Sequence, residues 1–310
     1  MSRGRQPDGG SEWLYFGEPT PGNANVTTGY FGVLEPPYLS QQGSLFSNPG
    51  LITMSTATPD AEIYYTTGGS YPNDASLLYT APIYIEDNTI LRAVAIKQGW
   101  LNSRPNTQSY LFDYAGELPV VSLSTNPEHF WDSDSGIYVL GQNASSNFPY
   151  FGANFWQDWE RPIHIEMFEP NGLLAFSIDA GVKIYGNYSR AYPQKSLAIF
   201  ARGSYGSTAI NYQVFPEKDI ESFEAIVLRN SGNDYDNTHF RDGLVSIIAD
   251  RVGVTAQAYR PAVVYLNGEY WGIQNIREKI NEHFIASHFP ICLLYTSPSP
   301  RDATLSRMPS

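Results

Sequence analysis

From about Ser40 to Phe112 the apolar positions fall in short runs rather than at helical spacing: Leu51 to Ser55, Glu62 to Thr66, Ile83 to Ile85, Ile90 to Ile96 and Thr107 to Phe112. Turn-forming words separate them, among them Thr58-Pro59-Asp60, Thr67-Gly68-Gly69 and Pro72-Asn73-Asp74. Short strand candidates punctuated by Gly, Pro, Asn and Asp predict a small antiparallel β-sandwich over residues 40–112. Ahead of it, residues 1–39 hold too many breakers for a helix or a central strand, above all from Gly17 to Asn25, and read as a connector.

After a linker at Asp113 to Glu117 the pattern becomes mixed. Leu118 to Leu123 and Ile163 to Phe168 read as strands, and Leu174 to Ile184 continues the sheet through a break at Asp179-Ala180-Gly181. Lys195 to Arg202 and Ala225 to Leu228 are further strand candidates. From Asn237 to Val252 the period changes: Phe240, Leu244, Ile247 and Ile248 recur at helical spacing, Asp236 or Asn237 is placed to cap the start, and Gly253 stops it. This predicts an amphipathic helix. Ala262 to Leu266 and Tyr270 to Ile276 flank Asn267-Gly268, a strong hairpin turn, and a second helix is predicted from about Arg277 to His288. The fold class expected is α+β multidomain, with few contacts joining the sandwich to the region that begins near Leu118.

The composition agrees with folded, strand-rich material: 42% hydrophobic, 14% aromatic and only 16% charged residues. The formal net charge of −12 would repel a phosphate backbone, and no Lys/Arg stripe overrides it locally, so nucleic acid is not an expected partner. No apolar run approaches the length of a membrane span. Met1 to Gly10 lacks the apolar segment of a signal peptide. The single cysteine, Cys292, leaves no material for a disulfide staple or a Cys-based zinc site. His129, His164, His239, His283 and His288 show no metal-ligand spacing, and no GxSxG elbow is present. The glycines of Arg202-Gly203-Ser204-Tyr205-Gly206 fit a hairpin turn better than a nucleotide loop.

Several stretches carry family resemblances. Ala61 to Pro72, Leu78 to Ile83 and Thr89 to Ala95 resemble the chitobiase/β-hexosaminidase C-terminal-like sandwich, an accessory module of exported bacterial proteins. Ser11 to Asn25 resembles the closing strand and exit of a lamin-tail-like domain, which makes residues 1–39 a linker and remnant of such a domain. Three later clusters, Lys183 to Leu197, Leu228 to Asp234 with Phe240-Arg241-Asp242, and Tyr265 to Ile273 with Arg277 to Ile280, together resemble the CotH kinase family, the spore-coat type of atypical protein kinase. That resemblance covers residues 118–290 and implies an α+β kinase-like domain that uses ATP and Mg²⁺ to phosphorylate a protein substrate. Residues 291–310, with two Ser-Pro pairs in close succession, resemble a translated sequencing-adaptor read-through. The kinase-like domain is therefore expected to be incomplete, its catalytic aspartates lying downstream of Phe289 in an intact parent.

Within the resemblance, Lys195 is the candidate phosphate-binding lysine, a point charge on a rigid strand, beside the ordinary reading of a solvated strand-edge lysine. Arg190 follows a turn and either forks onto the same phosphates or holds a carboxylate. Glu278, at the expected start of the last helix, either contacts nucleotide or complements the helix dipole. Asn230, Asp234, Arg241 and Asp242 are supporting polar candidates; Asn-Ser-Gly-Asn-Asp is also ordinary turn composition. The module company implies an extracellular or cell-surface bacterial location. It also keeps open a non-enzymatic alternative, a scaffold associated with cell-surface polysaccharide, for which Tyr64, Tyr65, Tyr71 and Trp100 are either a sugar platform or cross-strand packing.

Overall fold

A computed structural model describes residues 1–289. Residues 291–310, the segment that resembles adaptor sequence, lie outside the described residues. The architecture is mostly β, as the strand-rich composition and the short apolar runs require.

The sandwich has a five-stranded sheet in the order Ser44–Phe46, Asn106–Phe112, Thr89–Ile96, Glu62–Thr66, Leu77–Leu78, antiparallel except for the first pair. Short pairs cover it, Gly50–Ile52 with Ile83–Ile85 and Tyr38–Leu39 with Met54–Ser55. Leu39, Ile52, Met54, Ile63, Ile85, Leu91, Ala93 and Tyr110 form its core. Residues 1–39 are more than a connector. Ser2–Arg5 and Trp13–Phe16 pair as a hairpin that buries Phe16, and Phe31 and Leu34 donate backbone bonds to Gly99 and Leu101 of the sandwich.

The second region is a closed seven-stranded barrel. Its strands are β1 (Val120–Ser124), β2 (Arg161–Phe168), β3 (Leu174–Tyr185), β4 (Ser196–Phe200), β5 (Ala225–Arg229), β6 (Tyr259–Leu266) and β7 (Glu269–Glu278). Around the barrel they run β1-β2-β3-β4-β5-β7-β6, all antiparallel except the closing β6-β1 pair. The period of two decides what each strand buries. In β2, Ile163, Ile165 and Met167 enter the barrel core, while His164, Glu166 and Phe168 face outward. The anticipated break at Asp179-Ala180-Gly181 does not occur. The strand runs through, and Gly181 pairs with both Pro162 of β2 and Phe200 of β4, so the glycine marks a change of partner.

The helices differ from expectation. α1 (Pro127–Trp131) is short and anchors Phe130 in the core. α2 spans Arg241–Arg251 rather than starting at Asn237, and neither Asp236 nor Asn237 caps it: the Arg241 amide donates instead to Asp234 Oδ2 at 3.0 Å. Its barrel-facing side carries Gly243, where a Cβ would lie 2.2 Å from the Tyr259 ring, so the close approach requires glycine. The expected apolar core face instead remains on the surface, with Leu244 43% and Ile248 53% exposed. Arg277 and Glu278 end β7 rather than opening a helix, and α3 is only Glu282–His288, capped by the Asn281 side chain.

Sandwich and barrel each keep a core of their own and meet at one local apolar junction. Leu111 of the sandwich is buried with Val120, Phe168, Val263 and Tyr265 on the outer face of the barrel, flanked by Leu45, Tyr114, Leu118 and Leu174. This explains why every residue of β1 is buried: one face fills the barrel and the other is covered by the sandwich. Ser44 Oγ donates to Gly172 O at 2.6 Å across the same junction.

Candidate functional site

The first two sequence clusters meet at an open cleft of about 700 Å³ between the turn Gly186 to Ser189 and the segment Arg229 to Asp242. The second wall is shaped by Ser231, held in the left-handed region at φ 67° and followed by Gly232 at φ 57°. Backbone placed there needs outside support. Ser231 Oγ donates to His239 O at 2.6 Å and accepts from Asn275 Nδ2 at 2.9 Å, which ties the turn to β7.

Asn230 is wholly buried behind this wall. Its Oδ1 accepts from Ser196 Oγ at 2.8 Å and from the Gly232 amide at 3.1 Å. Its Nδ2 donates to Ser189 O at 3.2 Å and Gln194 O at 2.8 Å. All of its hydrogen-bonding capacity is used to join the two walls, so it is a brace and not a free ligand.

Asp234 and Asp242 line the cleft, and both are already engaged. Asp234 accepts from Thr238 Oγ1 at 2.6 Å and from the Arg241 and Thr238 amides, and Arg241 Nη2 lies 3.3 Å away. Hydrogen bonds from Thr238 lead in holding its carboxyl down to about 2. Asp242 bridges Arg229 Nε at 2.6 Å and Arg277 Nη1 at 3.2 Å. Arg277 in turn donates to Ala258 O and Ser246 Oγ from a buried position. Arg229 and Arg277, quoted within the clusters but not singled out from the sequence, thus hold the acidic wall of the cleft. Their signal was only adjacency to Asn230 and Glu278. Arg241 is the cation most free to meet a ligand, with a side chain 64% exposed.

The remaining candidates sit elsewhere. Lys195 is buried, and its ammonium donates to Arg190 O at 2.7 Å and Tyr192 O at 2.9 Å while resting 4.0 Å from the Phe155 ring centroid and 5.2 Å from that of Tyr138. It is neither a solvated edge lysine nor a residue lining the cleft. Burial pushes its pKa down to about 8. Arg190 turns back onto its own loop, donating to Gly186 O at 2.6 Å and to Phe155 O and Trp156 O, and desolvation lowers its pKa. Glu278 lies apart in a second hollow of about 270 Å³ beside α3. There it accepts from the Ala258 amide at 2.7 Å and faces His288 at 3.5 Å, and burial raises its pKa. The sequence candidates therefore divide into a cleft group (Asp234, Arg241, Asp242), a brace (Asn230), and three residues that do not converge on the cleft (Lys195, Arg190, Glu278).

The lysine yields a pH prediction. From its folded value near 8 up to its ordinary 10.5, the unfolded chain binds a proton that the folded chain does not, so stability rises with pH across that window. The stability of the wild type relative to Lys195→Met, measured by urea unfolding, should increase by about 3 kcal/mol from neutral pH to 10.5. A flat difference would mean that the ammonium is solvated after all.

The donor set does not fit a magnesium ion. Among the described residues there is no group of three or more His, Cys, Asp or Glu side chains placed to hold a metal, and the cleft's two aspartates are occupied by Arg229, Arg241, Arg277 and Thr238. Oxygen ligands for Mg²⁺ need free lone pairs at octahedral positions, and of these two carboxylates only Asp242 Oδ1, which accepts from the Gly243 amide, lies outside the ion pairs.

Comparison with known proteins agrees with the sequence motifs. No curated protein matches the chain. The first two barrel strands precede the longer family match, so the matched segment closes its barrel on chain that lies ahead of it. Over residues 41–109 the chain is similar to the family described as chitobiase/beta-hexosaminidase C-terminal domain, and over residues 182–297 to the family described as CotH kinase protein.

Proposed function

We propose that this chain is part of an exported bacterial CotH-type protein kinase whose intact parent transfers the γ-phosphoryl of ATP to a protein hydroxyl. The observation that carries the reading is the convergence of two family clusters, at Gly186 to Ser189 and Arg229 to Asp242, on one polar cleft bearing the exposed Arg241. Transfer also needs metal-holding carboxylates and a residue that orients the acceptor hydroxyl. The described residues do not supply them, and the proposal assigns them to chain beyond Phe289 in the parent. The chitobiase-type module supports an extracellular or surface location.

A second reading has an observation of its own. Lys195, Asp234 and Asp242 are all committed to intramolecular partners, which suits a kinase-like scaffold that presents the sandwich on a cell surface. One assay separates the two. This chain, a longer parent protein that continues past Phe289, and the parent's Arg241→Ala variant are incubated with labelled ATP, Mg²⁺ or Mn²⁺ and a generic acceptor. The expected result is transfer by the parent, reduced at least about tenfold in the variant, and none by the shorter chain. Transfer by the shorter chain alone overturns the placement of the carboxylates, and transfer by neither favours the scaffold.

A further inference from the structure

A separate cleft of about 430 Å³ opens where the sandwich meets the barrel. Tyr71, Arg92 and Arg104 come from the sandwich side, and Ser124, Asp179 and Tyr205 from the barrel side. The Tyr71 amide donates to Asn126 Oδ1 across the junction, so the two walls are joined rather than merely adjacent. Neither family match spans both walls.

Its chemistry is set by an arginine that the fold leaves incompletely partnered. Arg92 is only 7% exposed. Its Nη1 donates to Gly69 O at 2.6 Å, and its guanidinium lies 5.3 Å from the Tyr71 ring centroid, but its buried Nε has no hydrogen-bond partner among the described residues. Ser124 Oγ, also buried and lining the cleft, has none either. The one carboxylate in the lining, Asp179, is engaged by His164 Nδ1 at 2.8 Å. Arg104, exposed at the rim, makes no ion pair among the described residues, so the second guanidinium is also available. Arg92 makes no direct ion pair among the described residues; Asp179 offsets only part of the desolvation that lowers its pKa, and a guanidinium fork matches the paired oxygens of a carboxylate or phosphate.

We propose that this interdomain cleft binds a small organic molecule bearing an oxyanion, seated on Arg92 and Arg104 with Ser124 donating its hydroxyl and Tyr71 covering one side. Its volume of about 430 Å³ suits a single ring with a charged substituent. Because both domains contribute, ligand would fasten the sandwich to the barrel.

The test is calorimetric titration of the full chain with glucuronate, glucose 6-phosphate, inorganic phosphate and neutral glucose, in low-salt buffer. The expected result is saturable binding of glucuronate or glucose 6-phosphate, no heat from glucose, and at least about tenfold weakening in Arg104→Ala, whose exposed side chain makes it safe for folding. The tighter of the two anionic sugars identifies carboxylate or phosphate as the group recognised, and binding of inorganic phosphate alone, unaffected by Arg104→Ala, overturns the proposal. Arg92→Lys, which keeps the charge but loses the fork, should also weaken binding while circular dichroism stays unchanged. Absence of binding by every anion, or equal binding by wild type and both variants, overturns it as well.

Discussion

Replacing Asn230 by alanine is expected to destabilise the barrel by about 3 kcal/mol, because its loss strands several buried groups at once. Ser189 O and Gln194 O lose their Nδ2 donor, and Ser196 Oγ and the Gly232 amide lose Oδ1. Asn230 is fully buried, so water does not simply replace it. Asn230→Asp should fare no better, since it keeps the acceptor, loses the donor and adds a buried charge. Urea unfolding of the three proteins, followed by tryptophan fluorescence, measures the loss. A cost below about 1 kcal/mol for alanine would show that the loop from Ser189 to Gln194 is held by other means.

Glu166→Met should move stability the other way. Glu166 is fully buried where the sandwich meets the barrel, with Ser109 Oγ donating to Oε2, Ser109 and Ser122 hydroxyls 2.7 Å apart, and Oε1 without a partner. Burial raises its pKa above the ordinary 4.5. A carboxyl with a raised folded pKa contributes stability below its unfolded value, and that contribution is lost as pH rises through the folded value. At neutral pH the wild type therefore carries a strained, poorly compensated acid. A methionine of similar length leaves the two serines bonded to each other beside the apolar cluster of Leu111, Val120 and Phe168. Replacement of this buried, incompletely partnered carboxyl by a well-packed apolar group is expected to add about 2 kcal/mol at neutral pH. The gain should shrink on acidification toward pH 4.5. A melting temperature lowered equally at all pH values would mean that the carboxylate is a net fastener of the two domains.

Both predictions rest on features that no local pattern discloses. Asn230 sits in a turn-like word, Asn-Ser-Gly-Asn-Asp, which composition reads as a loop. Only the approach of the Ser189 to Gln194 loop to β4 and β5 turns it into a brace. Glu166 occupies an outward position of an alternating strand, where a carboxylate is normally solvated. The sandwich covers that face, and the same residue becomes a buried acid.

Elements whose causes are local were legible in the residues alone. Period-two alternation specifies β2 and β4, a short continuous apolar run specifies β5, and Asn267-Gly268, with φ values of 50° and 86°, makes the tight turn between β6 and β7. The ordered clusters were enough to reach both family matches. Tertiary structure decided what depends on partners distant in the chain. Pairing β1 with β6 closes the barrel, and a parallel seam between strands so far apart leaves no trace in either. The helical period at Phe240 to Ile248 was legible, but which side of α2 meets the barrel was not, because the contact is set by the small Gly243 under Tyr259 and by the Arg229-Asp242-Arg277 bridge. Lys195 is the clearest case: a lysine at a strand edge is solvated by default, and only the aromatic rings of Phe155 and Tyr138, brought in from the segment between α1 and β2, enclose it and depress its pKa.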